Sequence, residues 1–207
     1  MSAIPDHGGI APLDKPAQIP TTRTLLTDRL VLRPVHVGDV AAVQEGFSQW
    51  DVVKDLDAAV PWPLPDDWAA NDMSDTLERM ARGEKCRWAI TLKGNDRLIG
   101  AIELRVDDRT SRNQRAFWLM PQHRRQGLMT EAAERVTEFA FLTLDWSQLW
   151  LTNAEANLAS HRIKEKQGAR IVDRSPARYV SGDGVEVTWL LSRADWLARR
   201  TDSASGE

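Results

Sequence analysis

The 207 residues, 42% hydrophobic and 28% charged, suffice for one buried core and are too few for two full domains. A single cysteine, Cys86, excludes an internal disulfide, and the four scattered histidines add no metal-ligand spacing. The net charge of −3 argues against non-specific nucleic-acid binding, and no apolar run approaches the roughly 18 residues of a membrane span.

Residues 1–22 carry Pro5, Pro12, Pro16 and Pro20 without an apolar h-region, so they read as a flexible arm rather than a signal peptide. The expected location is cytoplasmic, with Cys86 a buried thiol. Leu30-Val31-Leu32-Arg33-Pro34 is a short strand ended by proline. Asp39 then precedes Val40, Ala41, Val43, Gln44 and Phe47, an amphipathic helix with Asp39 as its N-cap. Pro61-Trp62-Pro63-Leu64-Pro65 must be a loop. Helical spacing returns from Asp67 to Arg82 through Trp68, Met73, Leu77 and Met80, and Gly83 ends it.

A meander of three strands is predicted next, over Trp88–Leu92, Leu98–Leu104 and Arg115–Leu119. From Gly127, the spacing of Leu128, Ala132, Val136 and Ala140 predicts a long helix. Leu149-Trp150-Leu151-Thr152 is another strand. Asn157 to Gln167 is a short helix with Asn157 as N-cap and Gly168 just past its end. Ile171-Val172 and Val185–Leu191 flank the hairpin signal Ser181-Gly182-Asp183-Gly184. This order predicts an α/β (α+β) fold with a mixed sheet and helices on both faces.

Charge is unevenly spread. Residues 34–77 hold nine acids (Asp39, Glu45, Asp51, Asp55, Asp57, Asp66, Asp67, Asp72 and Asp75) against Lys54. Residues 105–125 hold six arginines (105, 109, 112, 115, 124 and 125) against Asp107 and Asp108. These are either two solvated faces or two ends of a site that attract opposite charges.

The segment Phe117-Trp118-Leu119-Met120-Pro121-Gln122-His123-Arg124-Arg125-Gln126-Gly127-Leu128-Met129-Thr130-Glu131-Ala132 runs from a strand through a turn into a helix. A helix start presents unpaired N–H groups and a positive dipole end. A glycine there lets the backbone approach a phosphate, and arginines can fork onto its oxygens. The segment is therefore a candidate pyrophosphate cradle, with a plain polar connection as the alternative.

Arg124-x-x-Gly127-x-Met129-Thr130-Glu131-Ala132 resembles the coenzyme A signature of the GCN5-related N-acetyltransferases (GNAT), Arg/Gln-x-x-Gly-x-Gly/Ala. The sequence around it is similar to the RimJ/RimL branch, which acetylates protein N-termini. Thr27-Asp28-Arg29-Leu30-Val31-Leu32-Arg33-Pro34 with Asp39 is similar to that branch's opening. Trp88-Ala89-Ile90 and Leu98–Ile102 are similar to its middle strands. Asn157-Leu158-Ala159-Ser160-His161-Arg162 with Lys166-Gln167-Gly168 is similar to its late helix. The resemblance spans about Thr24 to Arg199. Two residues depart from the pattern: Met129 stands where the family has Gly or Ala, and Ala169 where it has Phe.

The resemblance implies a GNAT fold with a central, mixed, mostly antiparallel sheet of six to seven strands and helices on both faces. A splayed pair of its strands would hold acyl-CoA. It implies a domain over residues 23–200 and a disordered tail over 201–207. It also implies acetyl-CoA as co-substrate, with no metal. The N–H groups of Gln126, Gly127, Leu128, Met129 and Thr130 would hold the pyrophosphate, with Arg124 and Arg125 supporting them. Phe117, Trp118 and Leu119 would pair with the pantetheine arm, Trp118 being otherwise a core aromatic. Asn157 would bond the cofactor arm, cap its helix, or both. Ser160 is either the proton donor to the departing thiolate or an ordinary first-turn serine.

Attack needs a neutral amine, and an α-amino group titrates near about 8 against about 10.4 for lysine. Glu103 is the candidate to accept the amine proton. The acidic stretch, with Trp50, Trp62 and Trp68 interleaved, is expected to form an acceptor mouth that draws a cationic amine. The expected reaction is acetyl transfer to a primary amine, such as a protein N-terminus, a polyamine, an aminoglycoside-like drug or another small amine. The expected partners are that acceptor and, since nine tryptophans allow it, a second copy in a homodimer. Neither nucleic acid nor membrane is expected as a partner. A non-catalytic acyl-CoA-binding regulatory module is the alternative. A nucleotide-binding protein is disfavoured by the lack of Gly-x-x-x-x-Gly-Lys-Ser/Thr or Gly-x-Gly-x-x-Gly.

Overall fold

The central strands are buried on both faces, with Trp88, Ala89 and Ile90 in succession, so helices must cover both sides of the sheet. The computed structural model describes Ile19 and residues 23–106 and 113–204. The predicted arm lies outside the described residues except at Ile19, which is 3% exposed and donates its N–H to Gly83 O at 3.1 Å.

Strands β1 (Leu25–Leu26) and β2 (Leu30–Pro34) lead to three helices, α1 (Val40–Phe47), α2 (Trp50–Val53) and α3 (Trp68–Ala81). The meander follows as β3 (Lys85–Leu92), β4 (Asn95–Arg105) and β5 (Arg115–Leu119). After helix α4 (Leu128–Glu138) come strand β6 (Gln148–Ala154) and helix α5 (Leu158–Gln167). The hairpin β7 (Arg170–Tyr179) and β8 (Gly182–Ser192) then leads into helix α6 (Arg193–Ala204). A π-helical turn, Phe139–Thr143, continues α4.

The strands form two hydrogen-bonded sheets, β1-β2-β3-β4-β5 and β6-β8-β7, antiparallel at every pairing. The sheets meet where β5 begins beside β6: Gln114 N–H donates to Trp150 O (2.8 Å), and Trp150 N–H donates to Gln114 Oε1 (2.7 Å). Beyond this contact the two strands are not paired, which is the expected splay. Among the described residues there are eight strands rather than six or seven, because Leu25–Leu26 adds a two-residue edge.

Helices cover both faces. On β3, Cys86, Trp88 and Ile90 join Ala132, Val136, Phe139, Ile163 and Trp196 in the core beneath α4, α5 and α6. Ala89 faces the other way, into a second core with Val43, Phe47, Val53 and Met73 beneath α1, α2 and α3. Burying each large apolar side chain contributes about 1.5–3 kcal/mol.

Three local expectations change. Asp39 stands at the start of α1 without capping it; its carboxylate accepts from Arg33 Nη1 (2.8 Å) and Nη2 (2.7 Å) and from His36 N–H (3.0 Å). The hairpin strands are longer than predicted, because exposed polar residues extend β7 away from the core. Helix α6 takes in residues 201–204 of the expected tail, and 205–207 lie outside the described residues.

Candidate active site

The turn before α4 is shaped by two residues in the left-handed region, Arg125 (φ 62°) and Gly127 (φ 76°). The first bond of the helix runs from Glu131 N–H to Gly127 O at 3.1 Å. The N–H groups of Leu128, Met129 and Thr130 therefore have no intrahelical acceptor. A Cβ on Gly127 would meet only Arg29 Nη2, at 3.4 Å, so the turn stays open above its glycine. Arg125, Gln126 and Gly127 are exposed. Backbone donors without intrahelical partners at a positive dipole end, beside an open glycine turn, suit a pyrophosphate.

A network from the N-terminal strand pair braces this turn. Arg29 Nε donates to Glu131 Oε2 (2.7 Å), Arg29 Nη1 to Gln126 O (2.8 Å), and Thr27 Oγ1 to Glu131 Oε1 (2.5 Å). Arg29 was not among the predicted site residues, although the Thr-Asp-Arg run contained it. The two departures from the family pattern do not obstruct the turn, since Met129 and Ala169 both pack against the main core.

Arg124 does not face the turn. Its Nε donates to Leu119 O (3.0 Å) and its Nη2 to Asp51 O (3.0 Å), tying the end of β5 to α2. Through these two bonds Arg124 braces β5 against α2, leaving Nη1 without a bond to either carbonyl. The Trp118 indole packs edge-on against Phe47, ring centroids 5.2 Å apart, beside the second core. Leu119 is buried, while Phe117 lies at the wall of a cavity. As the edge strand of its sheet, β5 turns that edge toward the splay.

The cavity is about 470 Å³ and opens between the splayed strands. Phe117, Asn157 and Ser160 line one side; Asp55, Asp57, Tyr179 and Glu186 line another. The acidic side is held by backbone bonds between the chain after α2 and β7: Ala58 N–H to Arg178 O (3.1 Å) and Val180 N–H to Leu56 O (3.0 Å). Asn157 caps α5 as predicted, its Oδ1 accepting from Ser160 N–H at 3.1 Å, and Gly168 ends the helix at φ 89°. Burial, with Glu186, Asp57 and Asp55, pushes the Tyr179 phenol up to about 12, so it stays neutral.

Glu103 is not brought to this site. It is 4% exposed and lies beneath α3, paired with Arg87 (2.6 Å), Lys85 (3.6 Å) and Arg105. Burial opposes its charge, but Arg87, Arg105 and Lys85 outweigh burial and hold the carboxyl well below the usual range. A carboxylate so stabilised is a poor proton acceptor. The expectation that Glu103 serves as the base is therefore corrected.

The acidic, aromatic mouth is only partly assembled. Asp55 and Asp57 reach the cavity, whereas Asp66 and Asp67 do not line it. Asp39 is bonded to Arg33, and Asp72 to Arg87. Trp68 stacks on Phe47 (4.6 Å), and Trp50 and Trp62 form an exposed pair (5.5 Å) outside the cavity lining. Of the six arginines, Arg109 and Arg112 lie outside the described residues; Arg105 and Arg115 line the cavity.

The cavity wall also holds two buried basic side chains outside the predicted site residues, Arg115 and Lys164. Arg115 is 2% exposed and donates to Gln167 Oε1 (2.8 Å) and Thr137 Oγ1; burial pulls it down to about 10, against the attraction of Glu134. Lys164 is 1% exposed, and its Nζ donates to Ser160 Oγ at 2.6 Å. The signal for Lys164 was its i,i+4 spacing from Ser160, which places both on one helix face.

Among the described residues no group of three or more His, Cys, Asp or Glu could hold a metal, and no helix is long and apolar enough to cross a membrane.

Residues 29–170 match the model of the acetyltransferase (GNAT) domain. The chain is 26% identical over 145 residues to the uncharacterized N-acetyltransferase YoaA of Bacillus subtilis (strain 168), covering 70% of this chain and 81% of that protein. It superposes on RimL, ribosomal L7/L12 alpha-N-protein acetyltransferase, in complex with coenzyme A, with a TM-score of 0.70 at 12% identity over 82% of this chain and 98% of the other. It also superposes on spermidine N-acetyltransferase from Vibrio cholerae in complex with CoA and spermine, with a TM-score of 0.68 at 14% identity over 83% and 99%.

Proposed function

The chain belongs to the GNAT acetyltransferase family, and from that premise we propose that it moves the acetyl group of acetyl-coenzyme A onto the primary amine of a cationic acceptor. The observation that carries this reading is the cavity that joins Ser160 and Asn157 to Asp55, Asp57 and Glu186 at the splay. Carboxylates on one wall attract an ammonium group and hold it near the place where a thioester would lie.

The residues present fit acetyl-CoA. The open glycine turn, with the backbone donors from Gln126 to Thr130, suits the pyrophosphate; the exposed Arg125 is the cation beside it, and Arg29 braces the turn through Glu131 and Gln126 O. The free edge of β5 from Phe117 to Leu119 suits the amides of the pantetheine arm, with Asn157 beside them. Bound acetyl-CoA supplies the acyl group. Ser160 Oγ, at the first turn of α5, gives a proton to the departing sulfur.

We assign this activity to residues 23–200 and place the protein in the cytoplasm. The acceptor is a peptide N-terminus or a small cationic amine. The proteins it superposes on include one whose name specifies a ribosomal protein and one whose name specifies spermidine.

The test is acetyl-CoA binding by calorimetry, with Gly127→Trp as control, followed by an amine panel of free N-terminal peptides and polyamines. Binding that the variant loses, followed by turnover on a cationic amine, is the expected result. Binding without turnover on any amine would leave a regulatory acyl-CoA module instead.

A further inference from the structure

Lys164 sits on the inward face of α5, 1% exposed, at the wall of the cavity. Its Nζ donates to Ser160 Oγ at 2.6 Å and lies 5.7 Å from the centre of the Phe117 ring. Among the described residues no carboxylate pairs with it, and the charge that acts on it is the cation of Arg115. A charged ammonium buried without a carboxylate costs several kcal/mol, which the protein avoids by releasing the proton. Burial first, and then Arg115, accordingly push Lys164 well below the usual lysine range.

We propose that Lys164 and Ser160 form a proton relay, in which Lys164 Nζ takes the proton shed by the acceptor amine and Ser160 passes a proton to the departing sulfur. The proposal rests on the acetyl-transfer reading above and supplies the base that Glu103 is not. The acceptor reacts as the neutral amine, its ammonium form having already released a proton to water; as its nitrogen bonds to the acetyl carbonyl carbon, it loses one further proton to Lys164. As the carbon–sulfur bond breaks, its electron pair leaves on sulfur. Ser160 Oγ–H protonates that sulfur, and Lys164 returns its proton to Ser160. One proton leaves nitrogen, one reaches sulfur, and both side chains end as they began.

The other charged groups facing the cavity are Arg115 on β5, Arg105 on β4, Asp55 and Asp57 after α2, Arg178 on β7 and Glu186 on β8, together with the phenol of Tyr179. Arg115, near 10, and Tyr179, near 12, titrate above the neutral range. A limb in the kcat profile that depends on Lys164 is thus separable from them by substitution.

The test compares wild type with Lys164→Leu, Lys164→Arg, Ser160→Ala and the Ser160→Ala/Lys164→Leu double variant. The readouts are acetyl-CoA affinity by calorimetry, kcat against pH, and lysine side-chain NMR titration. Lys164→Leu is expected to bind acetyl-CoA as the wild type does, lose about 10²-fold in kcat, and lose the limb that rises with pH. Arginine, which keeps a charge and cannot act as a base, should not rescue. The double variant should be no slower than the worse single one. An active wild type whose Lys164 titrates in the ordinary lysine range, or whose Leu variant keeps its rate and profile, or whose Arg variant is rescued, overturns the relay alone. A wild type that binds acetyl-CoA and transfers to no amine sinks the transfer reading and the relay together.

Discussion

Glu103 and Arg87 stand directly opposite each other across the β3–β4 ladder, Oε2 and Nε 2.6 Å apart, with Lys85 Nζ at 3.6 Å on the same face. Arg87 continues the chain of charge to Asp72 on α3, and Lys85 Nζ donates to Thr76 Oγ1 (3.3 Å) on the same helix. This cluster fastens α3 to the sheet, and of its members only Arg105 reaches the cavity wall.

Glu103→Gln should therefore act on stability and not on chemistry. Removing the carboxylate leaves Arg87 and Lys85 buried with one partner fewer, at a cost of about 3–5 kcal/mol. Urea unfolding should show that loss, while kcat per folded molecule at low temperature should stay within a few-fold. A loss of about 10²-fold or more in folded protein would restore Glu103 as a base.

The same carboxylate should make the fold sensitive to acid. Its folded value lies below the unfolded one of about 4.3, so its contribution is complete above that value and is lost as pH falls below it. Asp39 adds to this: burial opposes its charge, but Arg33 and the His36 N–H hold its carboxyl low. Unfolding free energy should fall below about pH 4–5, and Glu103→Gln should remove part of that slope. An identical acid slope in the variant would assign the effect to other carboxylates.

Gly46→Ala probes how β5 is supported. A Cβ on Gly46 would lie 2.4 Å from Trp118 Cζ3, so the indole or helix α1 must shift. Overpacking of this kind costs about 1–3 kcal/mol. Thermal unfolding should show the loss, and near-ultraviolet circular dichroism should change as Trp118 moves. Unchanged spectra with full stability would mean that α1 retreats without cost.

The turn and cap geometry is legible in the sequence because its signals are local. Gly127 and Gly168 are needed for positive φ where each helix meets its turn, and Asn157 caps through its own side chain. What escaped depends on partners distant in sequence. Strand register decides that Glu103 meets Arg87 and Lys85, and no pattern near residue 103 shows it. The bonds of Arg124 are set by the Leu119 and Asp51 carbonyls, which no pattern near residue 124 shows. The split of the acidic stretch has the same cause. Helix packing turns Trp68 inward onto Phe47, while backbone bonding to β7 holds the segment carrying Asp55 and Asp57 over the cavity.

That split makes the last prediction selective. Asp55 and Asp57 line the cavity and Asp66 and Asp67 do not, so only the first pair should steer the acceptor. Asn in place of Asp57 keeps an oxygen for the Ala59 N–H that Oδ1 now accepts at 2.8 Å, so the fold of the segment should survive. Each lost carboxylate should cost about 0.5–1 kcal/mol of attraction, or roughly two- to five-fold in KM for a cationic amine. The kcat should hold, because the reacting groups are untouched. Added salt should raise the wild-type KM and affect the Asp55→Asn/Asp57→Asn variant less, since exposed charges are screened. Asp66→Asn/Asp67→Asn should match the wild type throughout. If the two double variants behave alike with a cationic acceptor, the acidic wall is a solvated face, and the amine is held by other groups in the cavity.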